Sequence, residues 1–385
     1  MLAIGFFLSP SKDWLGGVNY FKNLFGAILA AGNNNIQLYI FVPTHINPDL
    51  LEMMVPESKN IVIVRTGMLE NNNPYWYIWK LIRKLFKSDI VCLGLCWKYR
   101  FKIISHSNFI NVPGVKIINW IADFQHVHLP HLFESKEIIY RNMNYSEIIN
   151  GADIVLVSSE TARKDIIYNF PKSTKKVRVL QFVSQVPEWY WRLDEVDYSE
   201  IVKKYELRKN YFYIPNQFWR HKNHSLLIHA ARILKKENID ICLVCTGETS
   251  DYRYSNYFSS FTEELEKSFC KEMFRILGVV PYSDVFKIMR FSIAVINPSR
   301  FEGWSSTVEE CKSAGKKVIL SDIPVHREQM ADADFFGIDN AIELAKHLKK
   351  FCENNNEILN LEVNKYDANI SRYLHYGENI LTHYR

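Results

Sequence analysis

Short apolar runs alternate with amphipathic segments of helix length along the whole 385-residue chain. The runs Leu2–Leu8, Ile36–Val42, Asn60–Arg65, Asp89–Leu93, Val115–Ile121, Asp153–Val157 and Val177–Phe182 read as strands. Between them, stretches such as Gly17–Ala31 and Ser135–Asn150 carry the helical period. An irregular segment, P-E-W-Y-W-R-L-D-E-V-D-Y, runs from Pro187 to Tyr198. A second series follows, with strands Tyr211–Ile214, Ile239–Cys245, Met273–Leu277, Ser292–Ile296, Lys317–Ser321 and Phe335–Ile338 and helices such as His224–Glu237 and Ala341–Cys352. This rhythm predicts parallel sheets covered by helices on both faces. Two doubly wound α/β domains are expected, at 1–190 and 191–365, with a closing helix over 366–385 that packs back on the first.

Ligands of such sheets sit at the carboxyl ends of strands. The most informative junction follows Ser292–Ile296 and reads N-P-S-R-F-E-G-W-S-S-T-V-E-E-C-K-S-A-G. Glu302 and Glu310 stand eight residues apart across a loop that turns into a helix. Gly303 permits close backbone approach, and Ser305, Ser306 and Thr307 offer hydroxyls and free N–H groups at a helix start, a ready anion site. Glu310, about one turn further in, suits a hydroxyl acceptor. An ordinary capped helix with two solvated carboxylates explains the same composition equally well. A second junction, P-N-Q-F-W-R-H-K-N-H, places Arg220 and Lys222 beside Asn216, Gln217 and Asn223, where cations pair with phosphate oxygens. A surface lysine at a helix start is the alternative, and His221 and His224 lack a carboxylate at metal spacing.

In the first half, D-W-L-G-G-V-N-Y follows the first strand and places Gly16 and Gly17 at a strand–helix turn, without a full G-x-G-x-x-G. W-I-A-D-F-Q-H-V-H-L-P-H gathers Asp123, His126, His128 and His131 after Val115–Ile121. Strand-like alternation there turns His126 and His128 to one side and Val127 away. Polar site residues explain this cluster better than a metal centre. Asp332–Asp334, D-A-D, falls in a late polar turn and is set aside as a metal motif.

Composition narrows the class. At 48% hydrophobic and 23% charged residues the chain is globular, and its apolar runs fall short of the ~18 residues of a membrane span. The start, M-L-A-I-G-F-F-L-S-P, has no basic region and meets Pro10 too early for a signal peptide, which points to a cytoplasmic protein. The net charge of 47 − 42 = +5 is too dispersed to indicate nucleic acid. Seven cysteines, with Cys92/Cys96 and Cys242/Cys245 as close pairs, read as buried apolar side chains, neither a disulfide frame nor a zinc site.

The combination of these motifs resembles glycosyltransferase family 4, the retaining family with the GT-B fold, of bacterial surface-polysaccharide type. The matching segments are I-L-G-V-V-P-Y-S-D, N-P-S-R-F-E-G-W, E-C-K-S-A-G and S-D-I-P-V-H-R-E over Met273–Gln329, with Glu302 and Glu310 at the two acidic positions. N-Q-F-W-R-H-K-N-H, A-D-F-Q-H-V-H-L-P and G-G-V-N-Y extend the likeness over most of the chain. The resemblance implies two Rossmann-like domains facing across a cleft that transfer a hexosyl unit, without a metal or other cofactor, from a nucleotide sugar. In that implied scheme Lys222, helped by Arg220, neutralises the diphosphate. Amides from Trp304 to Thr307 hold sugar and phosphate, Glu302 contacts the sugar, and Glu310 the ribose. Gly16 and Gly17 lie under the diphosphate, His126 approaches the reacting sugar, and Asp123 and His128 support the acceptor side. Gln217 stands where many members carry a phosphate-binding Arg.

Rival classes of the same architecture are a sugar-nucleotide epimerase or phosphorylase and a non-catalytic glycan-binding subunit. Finally, Tyr75–Lys87 reads Y-W-Y-I-W-K-L-I-R-K-L-F-K. On a helical wheel Ile78, Leu81, Ile82 and Leu85 gather on one side, and Lys80, Arg83, Lys84 and Lys87 spread over the other. A core-packed helix with a solvated basic face is the plain interpretation. The resemblance adds an anionic membrane as partner, on the inner face of the plasma membrane, and a lipid-linked saccharide as acceptor, as in lipopolysaccharide O-antigen or capsule synthesis.

Overall fold

Strand order was the property the sequence left open. The structure is a computed structural model that describes residues 1–11, 15–32, 35–251, 253–353 and 364–385; Asp13 and Trp14 of the first junction lie outside the described residues. The first sheet contains β1 (Leu2–Phe7), β2 (Ile36–Val42), β3 (Ile61–Arg65), β4 (Ile103–Ser105), β5 (Lys116–Ile121), β6 (Ile154–Val157) and β7 (Val177–Val179). Its order is β3-β2-β1-β4-β5-β6-β7. The second contains β8 (Phe212–Pro215), β9 (Leu243–Thr246), β10 (Phe274–Gly278), β11 (Val295–Asn297), β12 (Val318–Ser321) and β13 (Asp334–Phe336), in the order β10-β9-β8-β11-β12-β13. Every pairing is parallel. Helices cover both faces, so central strands such as Leu243–Thr246 are buried at every position and show no alternation. The chain divides into one unit of Met1–Ser184 with Ser371–Arg385 and another of Gln185–Ile370.

One expected strand is not a strand. Asp89–Leu93 forms a single 3-10 turn, Ile90–Cys92, that runs into the helix Leu93–Tyr99. Asp89 is fully buried and accepts from the Trp79 indole at 2.6 Å, the Arg83 guanidinium at 3.2 Å and the Ile110 amide at 2.7 Å. Those three donors fix a bend at Asp89, after which Cys92 and Cys96 turn inward at helical spacing. The place beside β1 is taken instead by the three-residue β4, too short to leave a periodic signal.

The helix Pro74–Phe86 also differs from its wheel. Trp79 and Arg83, four apart, are its buried residues, because both reach Asp89. Ile78, Leu81, Leu85 and Phe86 are exposed, and Ile82 is only half-buried. The plain interpretation, with the aliphatic side in the core, is therefore reversed. At the other end of the chain, the helix Asn364–Tyr384 sends Tyr373 to the Asn23 carbonyl at 2.9 Å and Tyr384 to Ser105 Oγ at 3.0 Å.

Candidate functional site

β8 and β11 are neighbours at the point where the strand order of the second sheet reverses, and Val295 lies opposite Tyr213. Two residues further along each strand the junctions begin, so the loops after β8 and β11 share one crevice at the position where such sheets bind ligands. Asn297 is the hub. Its Nδ2 donates to Ser305 Oγ at 2.9 Å and reaches Glu302 Oε1 at 3.4 Å; its Oδ1 accepts from Asn216 Nδ2 at 3.2 Å and Ser299 Oγ at 2.6 Å. Thr307 Oγ1 donates to Asn216 Oδ1 and to the Pro215 carbonyl, both at 3.3 Å. Ser305 is the N-cap of the helix Ser306–Ala314 and accepts from the Val308 amide. Gln329 closes the cap from the other side, accepting from the Ser305 amide and donating to its carbonyl.

On this frame Lys222 Nζ donates to Glu302 Oε1 at 2.6 Å, with both side chains largely buried. Burial pushes the Glu302 carboxyl up, but the Lys222 ammonium, together with smaller pulls from His326 and Ser299, brings it below the ordinary glutamate range. Glu310 differs. Burial pushes its carboxyl up to about 7, only partly offset by a 2.8 Å hydrogen bond from Tyr282 OH. The crevice thus holds one carboxylate ionised at neutral pH and one that titrates there, a split set by environment alone.

Arg220 lies near Lys222 in sequence, yet its guanidinium stacks over the Tyr254 ring at 4.9 Å while its amide donates to Asp251. Gly303, Trp304 and Ser306 are half-buried around the helix start, and Thr307 is buried. His221 is buried, and burial holds its imidazole well below the ordinary value.

In the first unit a cavity of about 1690 Å³ opens where β1 and β4 adjoin, lined in part by Ser9, Gly17, His106, Ser107 and Trp120. Gly17 is buried against it, whereas Gly16 is exposed. His126 and His128 do not share a side: Gln125–His128 is a helical turn rather than an extended segment. His126 is buried with Nε2 2.9 Å from Asn142 Oδ1, and burial lowers its pKa. His128 points to Asp165, 2.9 Å from both carboxylate oxygens, and that hydrogen bond raises its pKa. Asp123 caps the Gln125 amide at 2.9 Å. Among the described residues no group of three His, Cys, Asp or Glu side chains is placed to hold a metal ion.

Four residues of the second unit were not singled out from sequence. Asn297 stood only as the first residue of N-P-S-R-F-E-G-W and Tyr282 only within I-L-G-V-V-P-Y-S-D, neither with a role of its own. His326 and Gln329 lie within or just beyond S-D-I-P-V-H-R-E, but nothing local shows that the helix Pro324–Gln329 turns them toward Glu302 and Ser305. Gly247 also matters. Its φ is +136°, and a Cβ there would lie 2.5 Å from the Asn216 carbonyl oxygen.

Comparison with known proteins agrees with this frame. Residues 197–368 match the family model described as Glycosyl transferases group 1. The O-antigen chain mannosyltransferase RfbU of Salmonella typhimurium is 23% identical over 216 residues, which is 56% of this chain and 55% of that protein, so the chain matches about half of this relative's length. Among solved structures, a sucrose-phosphate synthase from Thermosynechococcus elongatus superposes with a TM-score of 0.71 at 13% identity, covering 100% of this chain and 98% of the other. A glycosyltransferase from Rickettsia africae gives 0.69 at 16% identity, covering 100% and 97%. Anabaena HepE, in complex with UDP and glucose, gives 0.68 at 12% identity, covering 99% of both. The fold is that of GT-B glycosyltransferases, α/β with two Rossmann-like parallel sheets.

Proposed function

We propose that the chain is a glycosyltransferase that moves a hexosyl unit from a nucleotide-sugar donor to a saccharide acceptor. The observation that carries this reading is the Lys222–Glu302 pair at the reversal point of the second sheet, beside the amides that open the helix Ser306–Ala314. A helix start and an ammonium suit a diphosphate. In this scheme Lys222 takes the phosphate, amides of Trp304–Thr307 hold sugar and phosphate, Glu302 accepts from a sugar hydroxyl and Glu310 from the ribose. Arg220 would have to leave Tyr254 to assist. The match to group 1 glycosyl transferases spans every one of these residues and supports the reading. Transfer proceeds with retention and without a metal ion, through positioning and stabilisation of the departing nucleoside diphosphate.

For the acceptor we favour a lipid-linked saccharide of a bacterial surface polymer, bound by the first unit with Asp123 and His128 on the acceptor side. The similarity to a protein named an O-antigen chain mannosyltransferase supports this choice. Among the described residues no helix is long and apolar enough to cross a membrane. The helix Pro74–Phe86 is instead suited to lie on one, at the inner face of the plasma membrane. Its exposed Ile78, Leu81, Leu85 and Phe86 accompany the exposed cations Lys80, Lys84 and Lys87.

The test is a thermal-shift screen of the full chain against UDP-, GDP- and ADP-sugars, followed by transfer or donor hydrolysis with the sugar that binds. A donor at 100 times its Kd should stabilise the protein by about 2.7 kcal/mol. Turnover should persist in excess chelator and vanish in Glu302→Ala. Activity lost on chelation and restored by a divalent cation would remove the metal-independent claim, and an active Glu302→Ala would remove the site.

A further inference from the structure

His326 is wholly buried, and its ring is held from one side only. Nδ1–H donates to the Ser321 carbonyl at 2.9 Å, which makes Nε2 the bare nitrogen of the neutral ring. That nitrogen has no hydrogen-bond partner among the described residues. A buried acceptor without a donor is costly, so its persistence calls for a role. The ring lies within the fields of Glu302 and Lys222. It is also tied to them through the backbone: Ser321 Oγ donates to the Ser299 carbonyl, and Ser299 Oγ to Asn297 Oδ1, whose amide faces Glu302.

Lys222 is the cation that neutralises Glu302, and it is also the cation placed to meet a diphosphate. A phosphate that takes over Lys222 leaves a buried carboxylate without its counter-charge, an arrangement that proteins avoid. We propose that His326 then takes up a proton from solvent at Nε2, so that an imidazolium in the same hydrogen-bonded network takes over from the ammonium as counter-charge to Glu302 and donor binding is linked to proton uptake. The step adds one proton to one lone pair and breaks no bond. His326 would be a positioning residue that keeps Glu302 ionised and able to accept from a sugar hydroxyl. The inference rests on the reading of Lys222 as the diphosphate ligand.

The charges around the ring support this direction. Burial holds the His326 imidazole below its ordinary value, Glu302 draws it up, and Lys222 presses it down. Moving Lys222 onto a phosphate removes the last of these effects. On its own helix, Arg327 faces outward to Asp322. From the helix Ser306–Ala314, Glu309 and Lys312 are engaged with Gln329. His221, beside Lys222, is held neutral by burial. Glu310 also titrates near neutrality and meets the nucleotide in the proposed scheme, so the decisive quantity is a difference between two proteins rather than one proton count.

The experiment is isothermal titration calorimetry of the full chain with UDP-glucose and with GDP-mannose, in buffers of different ionisation enthalpy. Neither diphosphate diester titrates near neutrality, so buffer dependence reports the protein. His326→Asn keeps a side-chain N–H near the Ser321 carbonyl but cannot titrate. Native protein should take up more protons per bound nucleotide sugar than His326→Asn, by up to one. The affinity of the variant relative to native should fall by up to about tenfold per pH unit as the pH drops through the uptake window. Equal proton counts in the two proteins would overturn the proposal. Absence of binding by every nucleotide sugar would instead remove the donor-site reading and this inference with it. Nitrogen NMR of histidine-labelled native protein gives a second readout that needs no variant. Addition of the bound sugar nucleotide should convert a bare ring-nitrogen signal into a protonated one, and an unchanged set of histidine signals would also overturn the proposal.

Discussion

The Lys222 ammonium and the Glu302 carboxylate stand 2.6 Å apart, with 15% and 9% of their side chains exposed, although 80 residues separate them in sequence. Each is therefore the other's counter-ion, and removal of either strands a buried charge. Lys222→Ala should lower nucleotide-sugar affinity by about 10- to 100-fold, the loss of one charge-assisted contact. It should also destabilise the fold by about 3–5 kcal/mol, because Glu302 remains behind. The double variant Lys222→Met/Glu302→Gln should recover much of the stability and none of the affinity. Denaturant melts and calorimetry on the three proteins decide this, and a single variant as stable as the native chain would count against the burial argument.

Glu310 should titrate near pH 7 in carboxyl carbon NMR, since burial raises it and Tyr282 only partly restores it. The folded carboxyl holds its proton above the ordinary value of 4.5, so the native state binds more protons between that pH and 7. Stability from this group is highest below the unfolded pKa and declines as pH rises through about 7. Tyr282→Phe removes the hydrogen bond and should move the midpoint higher. A midpoint that stays put, or falls, would show that Tyr282 does not support the carboxylate.

Lys316 has the opposite sign. It is buried, with its ammonium donating to the carbonyls of Arg290 and Ser292, and burial draws its pKa down from 10.5 to about 7. Between those values the unfolded chain binds the extra proton, so stability should rise with pH, by up to about 1.4 kcal/mol per unit. Lys316→Met should flatten that rise between pH 7 and 9.5. Chemical denaturation across the range measures it, and identical slopes in the two proteins would contradict it.

For the helix Pro74–Phe86, co-sedimentation with anionic liposomes should recover the native chain and weaken with salt. Lys80→Glu/Lys84→Glu/Lys87→Glu should abolish recovery. Arg83 is left in place because it bonds Asp89 and Glu147 and holds the helix down. Equal pelleting of native and variant, or of neither, excludes the membrane contact.

Gly247→Ala should perturb the crevice of the second unit through the backbone of Asn216. A Cβ at that positive φ would press on the backbone of Asn216 and Gln217, which positions the Asn216–Asn297 hydrogen bond. Reduced stability together with weaker nucleotide-sugar binding is expected in a melt and a binding isotherm. A variant indistinguishable from native in both would mean that the loop absorbs the methyl group.

The alternation of apolar runs and amphipathic segments determined the two parallel sheets, because burial on both faces imposes that pattern locally at each strand. The helix start at Ser305–Thr307 was equally legible, since an N-cap is a property of a few consecutive residues. Strand adjacency is not local. Nothing in the segments themselves states that β8 lies beside β11, yet that adjacency brings Lys222 to Glu302 and Asn216 to Asn297. The same holds for Asp89, whose burial turned an apolar run from strand into helix, and for Trp79 and Arg83, which followed it inward and left the aliphatic side of their helix outside. Sequence periodicity records which positions repeat together, whereas the buried polar groups decide which of those faces is turned in, because each must find its partner wherever the fold has put it.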